Sequence, residues 1–194
     1  MPILGVIASS TRQGQSTDTG AMFALQNIIV GSSSASSITF SNIPNTYKHL
    51  QIRGIARTAR TTFSNDGLVL QFNSDTGSNY SRHQLTSDGA NFDLGSAATS
   101  TFMFTQVAGN GGIANMFGAF VIDVLDYANS NKYKTARFFS GEDNNSGANQ
   151  QTGFISLSSG SWRNTNAITS ITLSGLSGNL LQYTQCSLYA VKGA

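Results

Sequence analysis

The residues of this chain best suited to chemistry are carboxylates. Asp66, Asp75, Asp88 and Asp93 fall in neighbouring turn-like stretches, and two carboxyl groups facing each other across a groove can cleave a glycosidic bond. Each of the four, however, stands within two residues of Gly, Asn or Ser, the company a turn-forming Asp keeps, so a turn role is expected. The run Glu142-Asp143-Asn144-Asn145 offers oxygen ligands of the kind Ca²⁺ takes, without the EF-hand spacing; a solvated loop is the default and a Ca²⁺ site the open alternative. His49 and His83 have no third ligand in register for zinc. Cys186 is the only cysteine, so no intramolecular disulfide forms, and its strand-like surroundings make it a small buried hydrophobe rather than a nucleophile. Gly-x-Ser-x-Gly, His-Glu-x-x-His, Walker and Gly-x-Gly-x-x-Gly patterns do not occur. The expectation is a protein with no catalytic residue, no cofactor and no metal.

A second group is suited to binding. Arg53, Arg57 and Arg60, with Lys48 and His49 nearby, are expected to place cations on one outer face of a strand, where they could grip an acidic partner or an anionic glycan. The same charges also guard an exposed strand against edge-to-edge aggregation. Tyr80, Tyr127, Tyr133 and Trp162 sit near strand ends or loops, where rings stack on sugars or anchor protein contacts, although most such rings belong to the edge of a core. Arg53, Arg57, Arg60, Tyr127 and Trp162 are the candidate surface contacts.

The elements that must position these residues follow from composition. Ser, Gly, Thr and Asn fill 83 of 194 positions, while there are four Lys and one Glu. Surface helices draw on Glu, Lys, Ala and Leu, so the chain is expected to be all-β: a single β-sandwich of jelly-roll type. Residues 1–20 dissolve from a short apolar run into polar, Gly-punctuated sequence, which suggests an extended N-terminal arm, leaving residues 21–194 as the sandwich. In the arm, Ile3, Leu4, Val6 and Ile7 are the candidate partner-binding residues. A net charge of +2 gives no motive for nucleic-acid binding. The apolar run 2–8 is far too short for membrane insertion.

Strand signals recur along the chain. Leu50, Ile52, Gly54 and Ala56 share one parity and His49, Gln51, Arg53 and Arg57 the other, as in a strand with one buried and one wet face. Leu68, Leu70 and Phe72 alternate, and residues 86–100 read as loop. The run Met116 to Leu125 is apolar on both parities, which fits a strand covered on both faces or a short helix, its Phe and Val content favouring the strand. Ser37-Ile38-Thr39-Phe40-Ser41 and Ser170-Ile171-Thr172-Leu173-Ser174 echo each other, too briefly to count as a repeat.

Five stretches, MPILGVIASS at the start, SSITFSNIPNTYKHLQIRGIART at 36–58, LQFNSDTGSNY at 70–80, FVIDVLDYANSNKYKT at 120–135 and LYAVKGA at the end, make the chain resemble a family of tailed-bacteriophage virion structural proteins, described as tail-fibre-like or hypothetical particle proteins. The resemblance spans the whole chain and carries no catalytic motif. It implies a component of the virion exterior whose partners are other virion proteins, of the tail or the major capsid protein. A tail-fibre or receptor-binding role, with a host-surface glycan as ligand, is the leading expectation; a capsid decoration or cement protein is the alternative, and a glycan depolymerase the third. The arm would attach the protein, and copies would associate, a homotrimer being favoured.

Overall fold

Twelve strands and no helix make up the computed structural model, which describes residues 21–143 and 153–193. They are β1 (Met22–Ile29), β2 (Ser37–Phe40), β3 (His49–Thr58), β4 (Asn65–Phe72), β5 (Tyr80–Ser87), β6 (Phe92–Ser100), β7 (Met103–Gly109), β8 (Gly118–Leu125), β9 (Lys134–Glu142), β10 (Phe154–Trp162), β11 (Ile171–Gly175) and β12 (Gln185–Val191). The large sheet runs β1-β12-β3-β8-β9-β10-β5-β6 and is antiparallel throughout. The small sheet runs β2-β11-β4-β7. β3 joins the two, because Arg57 and Thr58 at its end pair in parallel with Ala108 and Gly109 of β7. The twelve strands therefore form one hydrogen-bonded path that folds over on itself, an all-β, sandwich-like architecture.

Period-two patterning explains which face each strand buries. In β3, Leu50, Ile52 and Ala56 point inward and are fully buried; in β9 and β10 the buried set is Lys134, Ala136, Phe138 and Ser140, then Phe154, Ser156, Ser158, Gly160 and Trp162. The small sheet contributes Ile38, Phe40, Leu68, Leu70, Phe72, Met103, Ile171 and Leu173 to the same core. β8, the run apolar on both parities, alternates in its burial: Gly118, Phe120, Ile122 and Val124 point inward while Ala119 and Val121 do not. Its apolar residues on the second parity lie on the outside of the sandwich.

Two local features depart from the sequence reading. Residues 86–100, read as loop, contain the whole of β6, which pairs with β5 from Phe92↔Ser87 to Ser100↔Tyr80. Its sequence, FDLGSAATS, has no alternation because β6 is the last strand of the large sheet and both its faces are largely exposed. The two echoing pentapeptides turn out to be neighbours: Ile38 faces Leu173, Thr39 faces Thr172 and Phe40 faces Ile171 across the β2–β11 ladder. The threonine hydroxyls lie 3.2 Å apart.

Candidate functional site

Asp75 and Asp88 do turn work, whereas Asp66 and Asp93, expected in turns, lie within β4 and β6. Asp88 accepts hydrogen bonds from the Ala90 and Asn91 amides. Asp66, buried, accepts from the Gly67 and Ser177 amides and lies 3.6 Å from the Arg60 guanidinium. Asp75 accepts from the Gly77 amide, the Asn79 side chain and, at 2.7 Å, the Trp162 indole N–H. Burial pulls the Asp75 pKa up, but these three hydrogen bonds outweigh it and hold the carboxyl below its ordinary value. Asp93 is exposed on β6. Among the described residues no three of His, Cys, Asp and Glu converge as a metal cluster would.

Glu142 closes β9, and burial pushes its carboxyl up to about 7, against the pull of Arg57. Asp143 is exposed just beyond it, while Asn144 and Asn145, which complete the Ca²⁺ reading, lie outside the described residues, as do Ile3, Leu4, Val6 and Ile7 of the arm. Burial likewise raises the Cys186 thiol to about 12, which keeps it protonated and inert.

The arginines do not share a face. Arg53 is exposed on the outside of the large sheet, its Nε donating to Gln51 Oε1 at 2.6 Å. Arg57, expected beside it, is only 5% exposed. The reason is the path of β3: after the Ala56↔Gly118 pair it leaves β8 for β7, and Thr184 Oγ1 accepts from the Arg57 amide from the other side, so the strand end is enclosed. Arg60 lies beyond the strand, over the Phe63 ring at 4.3 Å and beside Asp66.

Three of the four aromatic residues singled out in the sequence, Tyr80, Tyr127 and Trp162, belong to the interior. Tyr127 is fully buried, and its hydroxyl donates to the Pro44 carbonyl. Trp162 is buried at the end of β10 between Phe72 and Tyr80, with ring centroids 5.6 and 6.4 Å away. Both are corrections to the surface reading. An indole or phenol near a loop goes inside when a polar partner meets its N–H or O–H there, and Asp75 and Pro44 supply those partners from 87 and 83 residues away. Tyr133, by contrast, is 59% exposed.

The surface feature that sequence reasoning missed lies on the outside of the large sheet. Val121, Phe139, Leu157, Leu85 and Leu94 stand directly opposite one another, strand to strand, across β8, β9, β10, β5 and β6. All point away from the core, and Phe139, Leu157, Leu85 and Leu94 are exposed. The adjacent row adds Ile55, Ile155 and Phe92. On the other side lies a polar row, Gln51, Asp123, Arg137, Ser159, His83 and Ser96. Asp123 accepts from Gln51 Nε2 at 2.7 Å and lies 3.8 Å from Arg137. A shallow cavity of about 550 Å³ opens between Leu85, Leu94 and Leu157, rimmed by His83 and Arg137. Val121 alternates with Phe120 and Ile122 on β8, and Phe139 with Phe138 and Ser140 on β9, so that part of the signal was present in the sequence as strands apolar on both parities.

The side chains of this row carry no titratable group, and covering them would take apolar surface out of water. No protein-family model matches the chain, and no curated protein matches it in sequence.

Proposed function

We propose that this chain is a non-enzymatic structural protein on the exterior of a tailed-phage particle, which works by binding other proteins. The resemblance of its five stretches to virion proteins supports the particle. The observation that carries the mode of action is the uncovered row Val121–Phe139–Leu157–Leu85–Leu94, since exposed apolar patches beyond a few hundred Å² mark contact sites. The carboxylates a depolymerase would need are instead engaged by backbone amides at Asp66, Asp75 and Asp88.

Within this reading the protein is a tail-fibre or receptor-binding component whose copies associate through the large sheet. Glycan contact then falls to exposed groups such as Tyr133 and Arg53 rather than to Tyr127 and Trp162. The same exposed face also favours a second placement, head decoration, in which it would lie against capsid subunits. Antibody against this chain, imaged on intact particles, separates them: label on the tail supports the first placement, label spread over the head the second, and unlabelled particles that lack the chain by mass spectrometry defeat both.

A further inference from the structure

We propose that the outer face of the large sheet receives a second copy of this chain, docked face to face about a two-fold axis that runs parallel to the strands between β9 and β10. The inference deepens the reading of that face as a protein contact and rests on it, but on no placement in a particle.

Self-complementarity identifies the occupant. A two-fold axis in that position lays β9 over the partner's β10, β8 over its β5 and β3 over its β6, with each row of side chains meeting itself. In the central row, Phe139 then meets the partner's Leu157, and Val121 meets the partner's Leu85. In the next row the small positions face the large or small ones they can accommodate: Gly141 meets the partner's Ile155, and Ala119 the partner's Ser87. Ile55 meets the partner's Phe92 at the margin.

The polar row is complementary under the same operation. Asp123 comes to the partner's His83, and by symmetry His83 to the partner's Asp123, while Arg137 comes to the partner's Ser159. The Asp123 carboxylate has acceptor capacity left beyond its bond from Gln51, and an imidazole N–H donates to it in any protonation state. The two copies of Arg137 come within one strand spacing of each other across the axis, each beside its own Asp123 carboxylate. Arg53, at the end of the central row, meets the partner's Leu94, where its aliphatic stem can cover the leucine while the guanidinium stays in water.

Area is consistent with a stable pair. The six strands are eight to ten residues long. At about 4.8 Å between strands and about 3.3 Å per residue they present roughly 850 Å². A standard interface takes about 800 Å² from each partner.

Sedimentation equilibrium of the full chain tests this directly. The expected mass is twice the 20.5 kDa of one chain. Leu157→Glu is expected to give the monomer mass and to melt cooperatively like the native chain diluted to its monomer, since Leu157 is 57% exposed. His83→Asp sets carboxylates against each other and is expected to weaken dimerisation about 10-fold, while His83→Asp with Asp123→His restores it. A trimer mass, a dimer that survives Leu157→Glu, or a double variant no tighter than the single one would overturn the proposal. So would a monomer, whether it stays monomeric or dimerises only when residues 1–20 are deleted, the latter making the arm the occupant. Sedimentation is read on purified protein, so a negative particle-labelling result leaves it untouched.

Discussion

Leu85 of β5 and Leu157 of β10 lie directly opposite each other in their ladder and both turn away from the core, 42% and 57% exposed. A cross-strand apolar pair of this kind stabilises a sheet by about 0.2–1 kcal/mol; covering the part of each side chain that is still exposed adds about half of the roughly 1.5–3 kcal/mol that full burial is worth. The pair thus contributes less to folding than to association. Replacing Leu157 by Glu is accordingly expected to change the unfolding free energy by no more than about 1 kcal/mol, measured by urea titration of the monomer.

Trp162 should behave oppositely. It fills the core between Phe72 and Tyr80 and donates to Asp75, so Trp162→Ala is expected to cost about 3–5 kcal/mol. Trp162→Phe keeps most of the packing but strips Asp75 of one donor, at about 1.5–3 kcal/mol for a bond to a charged acceptor. Thermal melting of the two variants checks the order; equal stability of Trp162→Ala and the native chain would return Trp162 to the surface.

Tyr127→Phe removes a single hydroxyl and leaves the Pro44 carbonyl without its donor. The expected loss is about 1–3 kcal/mol, with no effect on association, because Tyr127 lies in the core. Sedimentation and melting measured side by side distinguish this from a surface role.

Gly54 tests the packing between the layers' edges. A Cβ there would stand 2.5 Å from the Gln185 carbonyl oxygen and 2.6 Å from the Phe120 ring. The carbonyl belongs to the β12 backbone paired with β3 and cannot yield without disturbing the ladder. Gly54→Ala should therefore destabilise by about 1–3 kcal/mol, as overpacked cores do.

Glu142 predicts a pH dependence with a definite sign. Its carboxyl titrates near 7 in the folded chain, raised by burial despite Arg57, against an ordinary value of 4.5. Between those values the folded state holds the extra proton, so the contribution of Glu142 to stability falls as pH rises from 4.5 to 7 and is flat above. Glu142→Gln should remove that slope, leaving the variant more stable relative to the native chain at pH 7.5 than at pH 4.5. Urea midpoints at the two pH values give the comparison. Asp126, held near 2 by its hydrogen bonds with Lys132 and Lys48, adds stability that is lost only below pH 4, outside this window.

Much of the architecture was legible in local pattern. The alternation of Leu50, Ile52 and Ala56 marked β3 because a sheet strand with one buried face must read that way. The likeness of the segments around Thr39 and Thr172 had a physical cause beyond shared composition, since the two pair with each other and present matching side chains to the same surroundings. β6 was illegible because an end strand exposed on both faces needs no apolar period.

The site was less legible than the fold, for a reason of distance. Arg57 is enclosed by β7 and by Thr184, and Trp162 by Asp75; none of these partners is near in sequence, so local spacing placed both residues on the surface. The outer row has the same origin. Phe139 and Leu157 read as ordinary strand residues until their ladder sets them beside Val121, Leu85 and Leu94.

The most direct measurement is the amount of this chain in purified particles assembled with the Leu157→Glu variant, quantified by mass spectrometry against the major capsid protein. If the exposed face of the large sheet is the working surface of a particle protein, the folded variant should be depleted about 10-fold, as the loss of a central apolar contact implies. Incorporation at the native level would contradict the account.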